Sequence, residues 1–129
     1  MFKMLYERGE NVKISDVVPN LKNFIASISH QLPENLDKII VFGSYARGEA
    51  KVSSDLDLAL VSDGTGIVDK WAVADVLEDF DKFLNISYFC TNQTKISTEQ
   101  DKFNANYWIR DKGKLLWERQ HTNISATET

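Results

Sequence analysis

The chain has 129 residues and a mass of 14.7 kDa, which suits a single domain. It is 43% hydrophobic and 26% charged, a balance typical of folded globular proteins and too apolar for a disordered chain. The net charge of −4 and the pI near 5.1 argue against a broad surface that follows a nucleic-acid backbone, so we expect no direct nucleic-acid binding.

The sequence favours a cytoplasmic protein with no membrane partner. No segment approaches the ~18 consecutive apolar residues of a membrane helix, and the first nine residues lack the apolar stretch of a signal peptide. Cys90 is the single cysteine, so no internal disulfide forms. It lies in an apolar segment without a companion histidine, and we expect a buried strand residue rather than a nucleophile.

The first part of the chain predicts a helix and then a strand. Residues 15–32 carry apolar side chains at helical spacing, with Pro19 expected in the first turn and Pro33 expected to end the helix. In residues 38–42, Lys38 is followed by four apolar and mostly β-branched residues before Gly43, which predicts a buried strand. The expected buried helix face consists of Leu21, Phe24, Ile25 and Ile28.

The middle of the chain predicts a second strand, a loop, a helix and a third strand. Residues 54–61 form the second strand, and its first half alternates so that Asp55 and Asp57 share one face. Loop residues 63–66 follow, and residues 68–83 return to helical spacing. The third strand is expected at residues 84–90.

The C-terminal part predicts one more helix and a short strand. Ser97 and Gln100 match a capping box, which predicts a helix to about Asp111 that Gly113 ends. Residues 114–117 predict a final strand. The alternation of strands and helices indicates a small α+β domain with α/β-like layers over residues 1–119, followed by a polar tail at 120–129. We expect the helices at 15–32 and 68–83 to cover one face of the sheet and leave the other for chemistry.

The chemistry is concentrated in one segment, where a strand leads into a Gly-Ser turn and a carboxylate-bearing strand follows. Gly43 permits close approach of the backbone to a ligand, and Ser44 with the N–H groups of the turn suits phosphate oxygens. Asp55 and Asp57 offer two hard oxygen ligands for Mg²⁺, which also relieves their mutual repulsion. Asp-x-Asp alone is common on exposed strand edges, and Gly-Ser alone is common in turns. The joint pattern is more specific and predicts metal-dependent phosphoryl or nucleotidyl transfer.

This segment resembles a known family. Gly43-Ser44, ten further residues and Asp55-x-Asp57 are similar to the signature of the DNA polymerase β-type nucleotidyltransferase superfamily. The strings Gly-Ser-x-Ala-Arg-Gly and Ser-Asp-Leu-Asp-Leu resemble its smallest branch, the minimal nucleotidyltransferases (MNT). The resemblance covers nearly the whole chain, since residues 109–116 look like the closing helix and strand of that branch. It implies the nucleotidyltransferase fold, a small mixed β-sheet with helices packed mainly on one face.

The resemblance also implies an enzyme with defined site residues. Asp55 and Asp57 would be catalytic and would hold Mg²⁺ or Mn²⁺, and Gly43 and Ser44 would bind the phosphates of ATP. Arg47 would neutralise the triphosphate charge or face a partner. The alternative for Arg47 is a surface ion pair with a neighbouring acidic residue, Glu49 or Asp55.

Many MNT proteins are antitoxins paired with a ribonuclease toxin of the HEPN class. The resemblance therefore implies a hetero-oligomer in which the chain transfers AMP from ATP to a tyrosine of the toxin and so neutralises it. A nucleotidyltransferase that modifies a small molecule such as an aminoglycoside is a further alternative, but such enzymes usually carry a second domain, and 129 residues leave little room for one.

The sequence departs from the family pattern at one position. The family usually has a third carboxylate on the next strand, where this chain has Asn85, with Ser87 as the second candidate for that position. An amide keeps an oxygen but loses the negative charge and the general base. The alternative function is therefore an MNT fold of weakened catalysis that neutralises its toxin by binding.

Overall fold

A computed structural model describes residues 14–80 and 84–120 of the chain. Helix α1 (Ile14–Ile28) buries one face and continues as a 3₁₀ turn at Ser29–Gln31, before Pro33. Pro19 lies inside this helix and not in its first turn, so that prediction is wrong. The helix tolerates the missing N–H because Pro19 and Ser15, four residues earlier, are both exposed. The fully buried side chains of α1 are Leu21 and Ile25.

The centre of the fold is a mixed four-stranded sheet, as predicted. Its strands are β1 (Leu36–Phe42), β2 (Leu56–Ser62), β3 (Ile86–Asn92) and β4 (Lys114–Glu118). They lie in the order β3-β2-β1-β4, with β2 parallel to β3 and β1 antiparallel to both β2 and β4. Because β2 and β3 are parallel, both strands start at the same end of the sheet, and the antiparallel strand β1 ends there.

Four further helices connect these strands, namely α2 (Ser44–Arg47), α3 (Lys70–Leu77), α4 (Gln93–Thr98) and α5 (Ala105–Lys112). None of the helices in the described ranges is both long and apolar enough to cross a membrane.

The single helix predicted from Ser97 to Asp111 is wrong, because the chain forms α4 and α5 there with a loop between them. Ser97 lies within α4, and its hydroxyl accepts a hydrogen bond from Gln93 at 3.0 Å. The caps are instead Asn92 and Asn104, whose side chains accept from backbone N–H groups of α4 and α5. Gly113 ends α5 as predicted, and its N–H donates to the carbonyl of Ile109.

Two apolar clusters pack on opposite faces of the sheet. Helices α1 and α3 cover one face, as expected, over the leucines of β2. The other face is not left wholly open, because Ile96 of α4 and Ile109 of α5 pack over Ala59 and Val61. These helices cover the half of that face toward the end of β2. The half at the start of β2 carries polar side chains, among them Asp57.

Three predicted segments of the chain lie outside the described residues. These are the N-terminal residues before Ile14, the end of the helix predicted at 68–83, and the polar tail beyond Gln120. The single domain at 1–119 and the tail at 120–129 therefore remain predictions. Within the described part, α3 extends over Lys70–Leu77 only.

Candidate active site

The turn between β1 and α2 is shaped by Gly43. Its backbone angles, φ 73° and ψ −152°, lie in a region that only glycine adopts at low cost. Its carbonyl accepts the N–H groups of Ala46 and Arg47, which starts α2. A Cβ on residue 43 would collide with Oδ2 of Asp57. The turn backbone therefore lies directly against a carboxylate of the next strand.

Ser44 begins α2 at this turn. The helix is only one turn long, and its buried residues Tyr45 and Ala46 anchor it in the protein. It ends at Gly48, which adopts left-handed backbone angles. Because the N–H groups of Ala46 and Arg47 already donate to Gly43, the hydrogen-bond donors that this turn can offer a ligand beside Asp57 are those of Ser44.

Asp55 and Asp57 lie at the start of β2. Asp55 directly precedes the strand and is exposed, whereas Asp57 is half-buried between Phe42 of β1 and Ser87 of β3. Burial raises the pKa of Asp57, the charge of Asp55 raises it further, and the charge of Arg47 lowers it. The structure thus brings the two predicted carboxylates together, with a cation close enough to offset part of their charge.

Both candidates for the missing third carboxylate come to this site. The amide Nδ2 of Asn85 donates to Oδ1 of Asp55 at 2.6 Å. Ser87 lies beside Asp57 in the parallel register of β2 and β3. Residues 84–92 contain no Asp or Glu. The sequence identified these positions but not the Asn85–Asp55 hydrogen bond, because only the register of the two strands determines which side chains meet.

Arg47 forms the ion pair that was the alternative interpretation of this residue. Its Nε lies 3.0 Å from Oε1 of Glu49, and both side chains are largely exposed. Because its charge also lowers the pKa of Asp57, Arg47 belongs to the electrostatic surroundings of the site.

Cys90 lies apart from this site. It is a half-buried residue of β3, and its thiol donates to the carbonyl of Val68 at 3.4 Å. Burial raises its pKa, and it packs with the apolar cluster on the opposite face of the sheet from Asp57. This agrees with a strand residue that is not a nucleophile.

The donor set fits a divalent cation that arrives with phosphate ligands. Among the described residues, no group of three or more His, Cys, Asp or Glu side chains is placed to hold a metal ion. Mg²⁺ commonly takes one or two carboxylates and completes its coordination with substrate phosphates and water. Asp55 and Asp57 supply two such carboxylates, and the Gly43 backbone brings the Ser44 turn next to them.

Comparison with known proteins identifies the family. The model of the family "Polymerase beta, Nucleotidyltransferase" matches residues 23–122. This chain belongs to the polymerase β nucleotidyltransferase family. The resemblance inferred from the Gly43-Ser44 and Asp55-x-Asp57 motif is confirmed for the family. Gly43 and Ser44 directly follow β1, Asp55 directly precedes β2, and Asp57 lies in β2.

Relatives of this nucleotidyltransferase include two proteins of Methanocaldococcus jannaschii. They are named "Putative protein adenylyltransferase MJ0141" and "Putative protein adenylyltransferase MJ0604". The first is 39% identical over 46 residues, which is 36% of this chain and 46% of the relative. The second is 40% identical over 43 residues, which is 33% of this chain and 43% of the relative. The matches thus span less than half the length of these relatives.

Two solved structures share the nucleotidyltransferase fold. One is a toxin–antitoxin with AMP-PNP, with a TM-score of 0.53 and 22% identity. The other is a mutant of the toxin–antitoxin MntA–HpeT with two Asp-to-Glu substitutions, with a TM-score of 0.50 and 18% identity. Each match covers 77% of this chain and 74% of the other chain.

Proposed function

We propose that this chain is a cytoplasmic MNT-type antitoxin that transfers AMP from ATP to a tyrosine hydroxyl of a partner HEPN ribonuclease toxin. The observation that carries the proposal is the contact between the Gly43 turn and the Asp57 carboxylate, with Asp55 beside it. A turn suited to phosphate oxygens, next to two carboxylates suited to a cation, supports this proposal. The names of the M. jannaschii relatives support a protein as the AMP acceptor, and the toxin–antitoxin structure with AMP-PNP supports pairing with a toxin.

Each residue has a defined task in this proposal. Ser44 holds phosphate oxygens through its hydroxyl and backbone N–H, with Gly43 allowing their close approach. Asp55 and Asp57 hold Mg²⁺ or Mn²⁺, which neutralises phosphate charge and makes the α-phosphorus more electrophilic. Arg47 adds positive charge near the triphosphate.

The transfer forms a bond between the acceptor oxygen and the α-phosphorus of ATP, and it breaks the bond from that phosphorus to the bridging oxygen of the β-phosphate. Pyrophosphate leaves, and the hydroxyl proton passes to solvent. Asn85 cannot accept this proton, because an amide is not a base at neutral pH. A missing general base typically costs ~10²–10⁴ in rate, so we expect slow turnover.

The proposal is tested by the intact mass of the toxin after incubation with this chain, ATP and Mg²⁺. We expect one or more AMP adducts with the wild type and none with the double variant Asp55→Asn, Asp57→Asn. The matched control is Asp75→Asn with Asp79→Asn, which removes two exposed carboxylates from the α3 region and leaves the adduct in place. A toxin that stays unmodified in the presence of wild-type protein would contradict the proposal.

The hydrogen bond between Asn85 and Asp55 favours a second candidate, neutralisation by binding alone. A neutral amide at this position leaves the site with two negative charges instead of three. In this case the Asp55→Asn, Asp57→Asn variant still inhibits the toxin and co-elutes with it in gel filtration without ATP. Loss of inhibition in that variant would exclude this candidate.

A further inference from the structure

Asn85 is tied to the start of β2 by two hydrogen bonds. Its side-chain Nδ2 donates to Oδ1 of Asp55 at 2.6 Å, and its backbone carbonyl accepts the N–H of Leu56 at 2.9 Å. The backbone bond holds Asn85, the residue before β3, against Leu56, the residue after Asp55. The side-chain bond then holds the carboxylate of Asp55 in place. Both bonds depend on the parallel pairing of β2 and β3, in which Leu56 lies opposite Ile86.

This arrangement has a consequence for the charge of the site. One oxygen of Asp55 is engaged by a neutral donor, so repulsion between the carboxylates is reduced without a cation. The remaining carboxylate oxygens are too few for the six oxygen ligands of Mg²⁺ or Mn²⁺, and among the described residues no third acidic side chain completes a cage. The missing ligands have to come from water or from phosphate groups.

From this geometry we infer that Asn85 is a positioning residue for Asp55, and that the site takes up its divalent cation as a metal–nucleotide complex and not as a free ion. The inference deepens the proposed function and rests on it for the binding of a nucleotide at this site. The amide aligns Asp55 with Asp57 before the cation arrives, and the phosphates of the nucleotide supply the ligands that the protein lacks.

The test measures binding of Mn²⁺ to the full chain by the loss of the electron paramagnetic resonance signal of free Mn²⁺. Titrations are run with Mn²⁺ alone and with the addition of α,β-methylene-ATP, which cannot release AMP, and the Mn²⁺ that the analogue binds without protein is measured separately and subtracted. We expect wild-type protein to bind Mn²⁺ at least about tenfold more tightly when the nucleotide analogue is present. Equal affinity with and without the analogue would overturn the inference.

Two variants of Asn85 separate positioning from a merely structural role. Asn85→Asp replaces the donor by a third carboxylate, and we expect its affinity for Mn²⁺ alone to rise at least about tenfold. Asn85→Ala removes the donor, and we expect roughly tenfold weaker binding of Mn²⁺ with the analogue. Unfolding curves of both variants verify that the protein is folded. Wild-type affinities in both variants would contradict the role of Asn85.

The chain offers a matched control in Asn92→Asp. This substitution makes the same chemical change at the other end of β3, where Asn92 caps α4 and an Asp caps equally well. We expect it to leave Mn²⁺ binding unchanged, and a gain equal to that of Asn85→Asp would overturn the inference. Failure of wild-type protein to bind Mn²⁺ with the analogue would overturn both the inference and the proposed function. Binding without AMP transfer to the toxin would contradict only the proposed transfer.

Discussion

The carboxylate of Asp57 occupies the space that a side chain on residue 43 would need. Gly43 is therefore required twice, once by its positive φ of 73° and once by the contact with Asp57. We expect Gly43→Ala to lower the free energy of unfolding by about 1–3 kcal/mol and to displace Asp57. Because displacement of reacting groups by about 1 Å costs on the order of 100-fold in rate, AMP transfer should fall by at least that factor. Urea unfolding and the toxin mass assay measure the two effects.

Gly48 provides the control for this substitution. It has the same φ of 73°, but a Cβ there would meet no atom within 4 Å. Gly48→Ala should therefore cost about 1–2 kcal/mol from backbone strain and retain AMP transfer. Equal losses of transfer in both variants would show that backbone strain, and not contact with Asp57, explains the effect.

The ion pair between Arg47 and Glu49 allows the role of Arg47 to be isolated. If Arg47 neutralises the triphosphate, Arg47→Ala should weaken binding of the Mn²⁺–α,β-methylene-ATP complex by roughly tenfold. Glu49→Ala breaks the same pair but keeps the guanidinium, so affinity should be retained or improved. Both variants should change stability by less than about 1 kcal/mol, because the pair is largely exposed. Titration calorimetry measures the affinities, and equal weakening in both would argue against a direct role of Arg47.

The raised pKa of Asp57 predicts a pH dependence of stability in the absence of metal and nucleotide. The folded protein holds the Asp57 proton more tightly than the unfolded chain does, so ionisation of Asp57 destabilises the fold at neutral pH. This penalty is relieved as the pH falls through the raised pKa toward the ordinary value of 3.8. We expect Asp57→Asn to be more stable than wild type at pH 7, and this advantage to shrink toward pH 4. Urea unfolding across this range would contradict the prediction if the advantage were constant.

Tyr88 predicts a loss of stability in alkaline solution. Burial raises the pKa of its hydroxyl to about 12 from the usual 10.0. The unfolded chain therefore releases this proton at lower pH than the folded protein does, and stability falls as the pH rises from 10 toward 12. Tyr88→Phe should remove this part of the alkaline loss. Unfolding measured between pH 8 and 11.5 compares Tyr88→Phe with wild type, and an equal alkaline loss in both proteins would contradict the prediction.

The sequence predicted the strands, and which side chains come together at the candidate site, better than it predicted the connecting helices. The alternation of residues around Asp55 and Asp57 is visible in the sequence itself and shows that both side chains share one face of the strand. The spacing from Gly43 to this pair indicates that the turn and the strand meet. The helix predicted from Ser97 is wrong because the Ser97-x-x-Gln100 pattern begins in the last turn of α4, which Asn92 already caps, and ends in the loop that follows. Asn104 could have been recognised as the second cap, since Asn is as strong an N-cap as Ser.

Contacts between elements were beyond sequence reasoning. The hydrogen bond from Asn85 to Asp55 requires the observed register of β2 against β3, and a shift of one residue would turn Asn85 to the other face. The covering of Ala59 by Ile96 and Ile109 likewise depends on where α4 and α5 fold back. For this reason, the sequence led us to expect that the second face of the sheet is open, whereas the structure shows that half of it is covered.

Asp57 belongs to one of the two central strands of the sheet. β2 pairs with a strand on each side, and Leu58 through Val61 have no solvent exposure. Amide hydrogens in this strand should exchange with solvent only when the whole domain opens. The geometry of the carboxylate site is then lost together with the fold and not in a separate earlier step. Heat inactivation of the transferase and the unfolding transition should therefore share one midpoint temperature.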